Sequence, residues 1–340
     1  MNFPNIGLVS TGVYIPKNFI TAAEISNQTG IDEQVIKEKF GVIKKPIADS
    51  VETTSYMGLK AAEIALKKAE IDAKDIDLII WFGAQHKDYL CWLAGLYVAD
   101  NLGAKNAWSF DMEGMCGSFM MALSVAKSMM ITQEDLNTVL LVSGYRNNDL
   151  ISLKEPTTKF MLDIGSGGSA AILKKNHNKN LVLDSAFLGD GSFSTDCVFP
   201  VFGSKNWPVK EEDLKNAHFV VQDEEEFKNK LNERTLPNFY KVIDKALEKS
   251  GNLKRKDIDY LAILHFKRSA HNLILQELGL KENQTTYLEN YGHIGQNDQI
   301  LSMELGIEQG KIKEGSNIIL VGAGLGFVWA ASVIRWGSIK

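Results

Sequence analysis

Residues 58–81, GLKAAEIALKKAEIDAKDIDLIIW, carry apolar side chains at helical spacing, break at a short polar connector and close on an unbroken apolar run. Residues 242–264, VIDKALEKSGNLKRKDIDYLAIL, repeat that order: amphipathic helix, connector, apolar strand. The spacing predicts a helix in each, followed by a strand buried on both faces, because a half-exposed strand would alternate apolar and polar positions. The shared Lys-Asp-Ile-Asp begins at Lys74 and again at Lys256, 256 − 74 = 182 residues apart. Residues 138–144 (TVLLVSG) and 317–323 (NIILVGA) match at an offset of 179, and residues 165–173 resemble 326–334 in their small residues and in the strand that follows. Three matches in order, at nearly constant offset, predict an internal duplication.

A unit of half the chain is too long for a solenoid repeat, so two homologous α/β halves are expected, 1–176 and 177–340. Two sheets sharing the helices between them would bury the helix that follows Cys116 together with its counterpart over 296–308. The stretch 188–236, with its Gly, Pro and Trp residues and Glu224-Glu225-Glu226, breaks the pattern. It reads as the connection between the halves with surface insertions, the acidic run being a solvated face.

Composition narrows the class. A 340-residue chain with 45% hydrophobic and 23% charged residues has the makings of an ordered globular protein. The first residues show no cationic segment and no long apolar run, and no stretch approaches 18 uninterrupted apolar residues, so a cytoplasmic protein away from membranes is expected. The net charge of −5 argues against bulk nucleic-acid binding. Three cysteines without paired spacing, and no Cys/His cluster at zinc spacing, point to neither a disulfide framework nor a metal site.

One cysteine differs from the others. Cys116 lies in Asp111-Met-Glu-Gly-Met-Cys116-Gly117-Ser118-Phe119, with an apolar helical run over 119–126 behind it. That places the thiol at a helix start, where free N–H groups and the helix dipole favour thiolate. Cys91 reads as part of an apolar helix-like stretch and Cys197 as a loop residue. Ligand chemistry in an α/β layer collects at the carboxyl ends of the strands. His265 ends the strand 260–264, and His293 follows Gly292 just before the second-half helix. At the repeat offset Cys116 maps near Gly295, so Cys116 and His293 open equivalent helices and are predicted to meet between the halves. A nucleophile beside histidine is the arrangement of covalent acyl chemistry. His86 and His271 are assigned to structure or a pocket wall; His177 and His218 carry no signal.

These residues resemble the ketoacyl-acyl carrier protein synthase III group of condensing enzymes, within the thiolase-like superfamily. The resemblance runs from Gly7-Leu-Val-Ser-Thr-Gly-Val-Tyr-Ile-Pro16 through Cys116-Gly-Ser-Phe to Gly324-Leu-Gly-Phe-Val-Trp-Ala-Ala-Ser-Val-Ile-Arg-Trp336. It implies a thiolase-like α/β fold, two duplicated halves forming a five-layer αβαβα sandwich. It also implies that Cys116 is the acylated nucleophile, that His265 is the histidine opening the family's His-Gln-Ala-Asn segment, and that the backbone N–H groups of Cys116 and Leu325 form the oxyanion hole. The implied partners are acyl-CoA, acyl carrier protein and a second copy of the chain in a homodimer, with residues 89–97 as contact surface. No cofactor is implied beyond the CoA or phosphopantetheine thioester used as substrate.

The chain departs from the family in four places. His293 stands where an asparagine is usual, His265-Phe266-Lys267-Arg268 replaces His-Gln-Ala-Asn, and Gly165-Ser166-Gly-Gly-Ser replaces Gly-Asp-Gly-Ala-Gly. Val35 and Lys39 align with the tryptophan and arginine that grip the CoA adenine, which points to carrier proteins as donors of both acyl groups. The resemblance implies two N–H donors to the enolate oxygen, His265 and the usual asparagine; a histidine at 293 still offers an Nε2–H donor, so condensation with a malonyl-type thioester, with loss of CO2, is the expected reaction. Two alternatives stand beside it. A neutral His265 or His293 acting as base would give acyl transfer to a hydroxyl, amine or thiol without decarboxylation. A non-catalytic thiolase-like binding protein is the other. For an acidic carrier protein, Lys267, Arg268 and residues 254–256 are the candidate basic face, with Lys39 at the pocket mouth for a phosphate.

Overall fold

The computed structural model describes residues 3–338. Its main sheet has nine strands: β1 (Ile6–Tyr14), β2 (Leu78–Trp81), β3 (Trp108–Asp111), β4 (Thr138–Tyr145), β5 (Gly167–Lys175), β6 (Lys179–Gly189), β7 (Tyr260–Ile263), β8 (Asn317–Gly324) and β9 (Val328–Ser338). Six helices cover it: α1 (Thr54–Ala69), α2 (Ala94–Leu102), α3 (Ser118–Thr132), α4 (Glu224–Lys249), α5 (Arg268–Leu278) and α6 (Asp298–Glu308).

The duplication is visible in the topology. The first half pairs in the order β3-β2-β4-β5-β1, parallel from β3 to β4 and antiparallel from β4 to β1. The second half repeats this as β7-β8-β9-β6, and a parallel bridge between Leu261 and Thr285 stands where β3 would be. The helix–connector–strand units found in the sequence are α1 with β2, and the end of α4 with β7. The two sheets are joined by one residue pair, Gly7 with Leu181, and so run edge to edge as a single ribbon. Gly7 permits that approach, since a Cβ there would come within 2.4 Å of the His177 and Lys179 carbonyl oxygens.

Strand residues alternate between two cores. Leu78, Ile80, Val139, Leu141, Ala171 and Leu173 face inward with Tyr260, Ala262, Ile318 and Leu320, all against α3 and α6. Their neighbours Ile79, Trp81, Leu140 and Val142 face α1 and α2, and Leu261, Ile263, Ile319 and Val321 face α4 and α5. Helices on both faces explain the continuous apolar runs. The result is five layers: helices, sheet, α3 with α6, sheet, helices. The described residues include one helical stretch apolar and long enough to cross a membrane, Met115–Thr132. It contains α3, the helix enclosed between the sheets, which explains why its apolar residues run all round it.

Three expectations change. Cys91 lies exposed in a turn with φ 51°, not in a helix. Cys197 begins a two-residue strand, Cys197–Val198, rather than a loop. Residues 254–256 precede the amino end of β7, the sheet edge opposite the one that ends in His265, and Arg255 is occupied by Asp244 and Glu277 at 2.7 and 3.0 Å. The acidic run has a more specific role than a solvated face: Glu224, Glu225 and Glu226 form the first turn of α4, capped by Asp223 through the Glu226 N–H, where negative charge complements the helix dipole.

Candidate active site

Cys116 sits on a 3₁₀ turn, Met115–Gly117, leading directly into α3. The turn is tied internally: Ser118 Oγ accepts from the Gly114 N–H at 2.8 Å and donates to the Met115 carbonyl at 2.6 Å. Met115, just before the nucleophile, has φ 50°, a left-handed conformation that costs a non-glycine residue energy and is held by those bonds. The backbone at the end of β8 packs on this turn. A Cβ at Gly324 would lie 2.3 Å from the Gly114 carbonyl and 3.2 Å from the Cys116 nitrogen.

The other half brings His293. Its strap is stitched to the first half, because the His293 N–H donates to the Asp163 carbonyl and the Gly165 N–H donates to the His293 carbonyl, each at 2.9 Å. Gly292 makes this possible: with φ 60°, it stands where a Cβ would be 2.2 Å from the Asp163 carbonyl. His293 Nε2 then lies 3.0 Å from Cys116 Sγ, and Nδ1 lies 2.6 Å from Asp298 Oδ2 at the start of α6. Asp298 is fully buried and also accepts from the backbone N–H groups of Ile294 and His265. Burial alone would lower the His293 pKa, but the charges of Cys116 and Asp298 and the bonds to both outweigh it and hold it well above the usual range. The arrangement is a nucleophile, a base and an orienting carboxylate.

His265 is close but differently engaged. Its ring is wholly enclosed, with Nδ1 2.8 Å from Asp163 Oδ2 and Nε2 3.1 Å from the Gly41 carbonyl. Both ring nitrogens are therefore engaged by protein oxygens. The expected meeting of Cys116 and His293 is present, and His265, expected as the second donor, has both ring nitrogens engaged by the protein. The two acids brace the pair crosswise. Asp298 holds the ring of His293 and the backbone of His265, while Asp163 holds the ring of His265 and the backbone of His293. Behind Asp163 lies the buried ammonium of Lys45, which donates to the Ile164 carbonyl at 2.8 Å. Burial pulls the Lys45 pKa down to about 8, against the opposing pull of Asp163.

Above the thiol opens a cavity of about 520 Å³, lined by Phe40, Phe160, Leu231, Phe239, Phe266 and Phe327, with Thr235, Lys267 and Ser269 as polar members. Cys116, Tyr145, His265, His293 and Leu325 also border it. Among the expected substrate contacts, Lys267 reaches this cavity. Arg268 borders a separate polar groove, paired with Glu289 at 3.2 Å and stacked over Tyr287 at 4.1 Å. Lys39 is exposed and borders neither. Cys197 is far less suited to nucleophilic work than its sequence alone shows: burial, with Asp196 beside it, pushes its thiol up to about 12.

Four residues of the site escape a reading of the sequence: Asp298, Asp163, Lys45 and Tyr145. Asp298, five residues after His293 at the opening of a helix, carries a weak signal of spacing. Asp163 interrupts the apolar run Phe160-Met-Leu-Asp163-Ile with a charge, which is a sign of a buried partner. Lys45 and Tyr145 look like ordinary strand residues.

The sequence matches the family described as 3-oxoacyl-[acyl-carrier-protein] synthase III over residues 110–191, and the C-terminal region of the same family over residues 247–336. A beta-ketoacyl-[acyl-carrier-protein] synthase III from Clostridium tetani is 30% identical over 347 residues, covering 99% of this chain and 100% of that one. The crystal structure of 3-oxoacyl-[acyl-carrier-protein] synthase III from Aquifex aeolicus superposes with a TM-score of 0.83 at 22% identity, covering 97% of this chain and 100% of that one. A priming beta-ketosynthase from a polyketide biosynthetic pathway gives 0.85 at 20% identity, covering 100% and 98%.

Proposed function

The chain belongs to the 3-oxoacyl-[acyl-carrier-protein] synthase III family, and on that premise we propose that it is an acyltransferase that loads an acyl group onto Cys116 and condenses it with a malonyl-type thioester. The observation that carries this reading is the 3.0 Å contact between Cys116 Sγ and His293 Nε2 at the floor of an apolar cavity where the two halves meet.

The chemistry runs in two halves. Cys116 Sγ attacks the donor thioester carbonyl, whose oxygen is held by the N–H groups of Cys116 and Leu325; the carbon–sulfur bond of the donor breaks, and the leaving thiolate takes the proton from His293 Nε2. In the second half the bond between C2 and the carboxylate carbon of the malonyl group breaks, CO2 leaves, and the electron pair passes into an enolate. Its carbon attacks the acyl carbonyl, and Cys116 departs as thiolate. Between the two halves His293 regains a proton from solvent, a step favoured by the Asp298 charge that helps raise its pKa, so Nε2–H is in place when the enolate forms.

Acyl-CoA and acyl carrier protein are the proposed donors, with Lys267 at the cavity as the nearest cation for a phosphate or an acidic carrier. The exposed side chains of Tyr89, Leu90, Leu93 and Leu96 support a homodimer through this face. The proposed setting is the cytoplasm, and the reaction as written uses no cofactor. The test is CO2 release from malonyl-CoA and malonyl-carrier protein with a panel of acyl thioesters, alongside the mass of the Cys116 peptide. Acylation of Cys116 without CO2 from any extender would refute condensation.

That outcome would favour a second reading, acyl transfer to a hydroxyl, amine or thiol. It draws support from Asp298, which keeps a proton on Nδ1 of His293, so the neutral ring turns a lone pair toward the acyl thioester and serves as a general base.

A further inference from the structure

Decarboxylation leaves negative charge on the thioester oxygen of the malonyl substrate, and a dry site stabilises it with hydrogen-bond donors aimed at that oxygen. His293 supplies one from Nε2. His265, the expected second donor, has Nδ1 on Asp163 and Nε2 on the Gly41 carbonyl. We propose that the phenol O–H of Tyr145 is the second donor, a catalytic residue in the place expected of His265. The proposal rests on the condensing reading above and deepens it.

Position is the first support. Tyr145 ends β4 at its carboxyl edge and borders the same cavity as Cys116 and His293. Rigidity is the second. The side chain is 3% exposed. Its ring lies against Gly295, where φ is +67° and a Cβ would come within 2.3 Å of the ring, and the ring centroid is 6.0 Å from that of His293. A buried ring packed closely on Gly295 is restricted in where its oxygen points, and such pre-orientation makes a donor effective in the transition state. Protonation is the third. Burial first, then the negative charges of Cys116, Asp298 and Asp163, push the phenol well above its ordinary range. Tyr145 therefore carries its proton at any working pH, whereas a neutral His293 carries none on Nε2.

In the step itself, the C2–carboxylate bond of the malonyl thioester breaks and CO2 departs. The oxygen of the enolate accepts from Tyr145 O–H and His293 Nε2–H, and neither residue loses its proton. The enolate carbon then forms the new bond to the acyl carbon as the bond to Cys116 Sγ breaks.

Tyr145→Phe removes one oxygen and keeps the ring on Gly295. Three quantities are compared with wild type in the full chain: the thermal unfolding midpoint, the rate of Cys116 acylation by an acyl-CoA, and CO2 release from malonyl-CoA or malonyl-carrier protein by the acylated protein. The expected result is an unchanged midpoint, acylation within about threefold, and a kcat for CO2 release lower by about 10²- to 10³-fold with little change in KM. CO2 release within about threefold of wild type overturns the proposal. So does an equal fall in acylation and CO2 release, which would assign the hydroxyl to the thiol rather than to the enolate. Wild type that releases no CO2 overturns the condensing reading and the proposal with it, an outcome the wild-type control separates from the other two.

Discussion

Replacing Asp298 by Asn removes one charge from the centre of the site and changes nothing else in size. The carboxylate now accepts three N–H groups, from His293 Nδ1 at 2.6 Å, His265 N at 2.7 Å and Ile294 N at 2.8 Å. An amide has one acceptor oxygen. With that oxygen on the two histidines, its NH2 faces the Ile294 N–H, and one buried donor loses its acceptor at a cost of about 1–3 kcal/mol. The fold is expected to survive that loss. Catalysis is expected to suffer more, since an aspartate that orients a catalytic histidine carries about 10⁴-fold in rate where the same Asp-to-Asn change has been made. Without the anion His293 also loses one of the charges that raise its pKa. The imidazolium that pairs with thiolate is then held less firmly, and the pH at which iodoacetamide alkylates Cys116 should move upward. Acylation rates by peptide mass, and alkylation rates against pH, measure the two effects. An Asp298→Asn protein that acylates within about tenfold of wild type, with an unshifted alkylation profile, would refute the role given to Asp298.

Cys116→Ala should lose acylation and all product formation, whereas Cys91→Ala, at an exposed turn outside the cavity lining, should leave turnover largely intact; peptide mass and product assays decide both. His293→Asn keeps an N–H donor and should retain part of the CO2 release, while His293→Ala should abolish it; equal activity in the two would remove His293 from the second half-reaction. Lys45 gives a pH signature. Its folded pKa is about 8 against 10.5 for the free side chain, so the unfolded chain binds more protons between those values and wild-type stability should rise as pH climbs through that window. At full burial 2.5 units correspond to about 3 kcal/mol, offset by about 1 kcal/mol for the bond to the Ile164 carbonyl. Lys45→Met should therefore unfold at higher denaturant than wild type near pH 7, with the advantage gone near pH 10.5.

The fold was legible because its determinants are local and repeated. Helical periodicity over 58–69, the apolar strand that follows, and their echo near 242–264 belong to elements whose pattern follows directly from having helices on both faces. Cys116 and His293 were legible as a pair through the repeat offset. The orientation of His265 was not, because it depends on Asp163 and the Gly41 carbonyl, 102 and 224 residues away in the chain. Lys45 and Tyr145 were missed for the same reason: each acquires its chemistry from residues far along the chain, Lys45 from Asp163 and Ile164, Tyr145 from the strap that carries His293 and Gly295. Arg268 failed in the other direction. A basic pair in sequence splits on a helix, and Lys267 turns to the cavity while Arg268 turns to Glu289.

Strand pairing between the two sheets comes down to a single residue pair, Gly7 with Leu181, yet the nucleophile comes from one sheet's half and its base and orienting acid from the other. The inner core is shared, since α3 and α6 pack against strands of both sheets, so the 3.0 Å distance is set where the packing of one half meets that of the other. Turnover thus reports on the seam rather than on either core, and a change in the packing of α3 against α6 can silence the protein while leaving every strand in register.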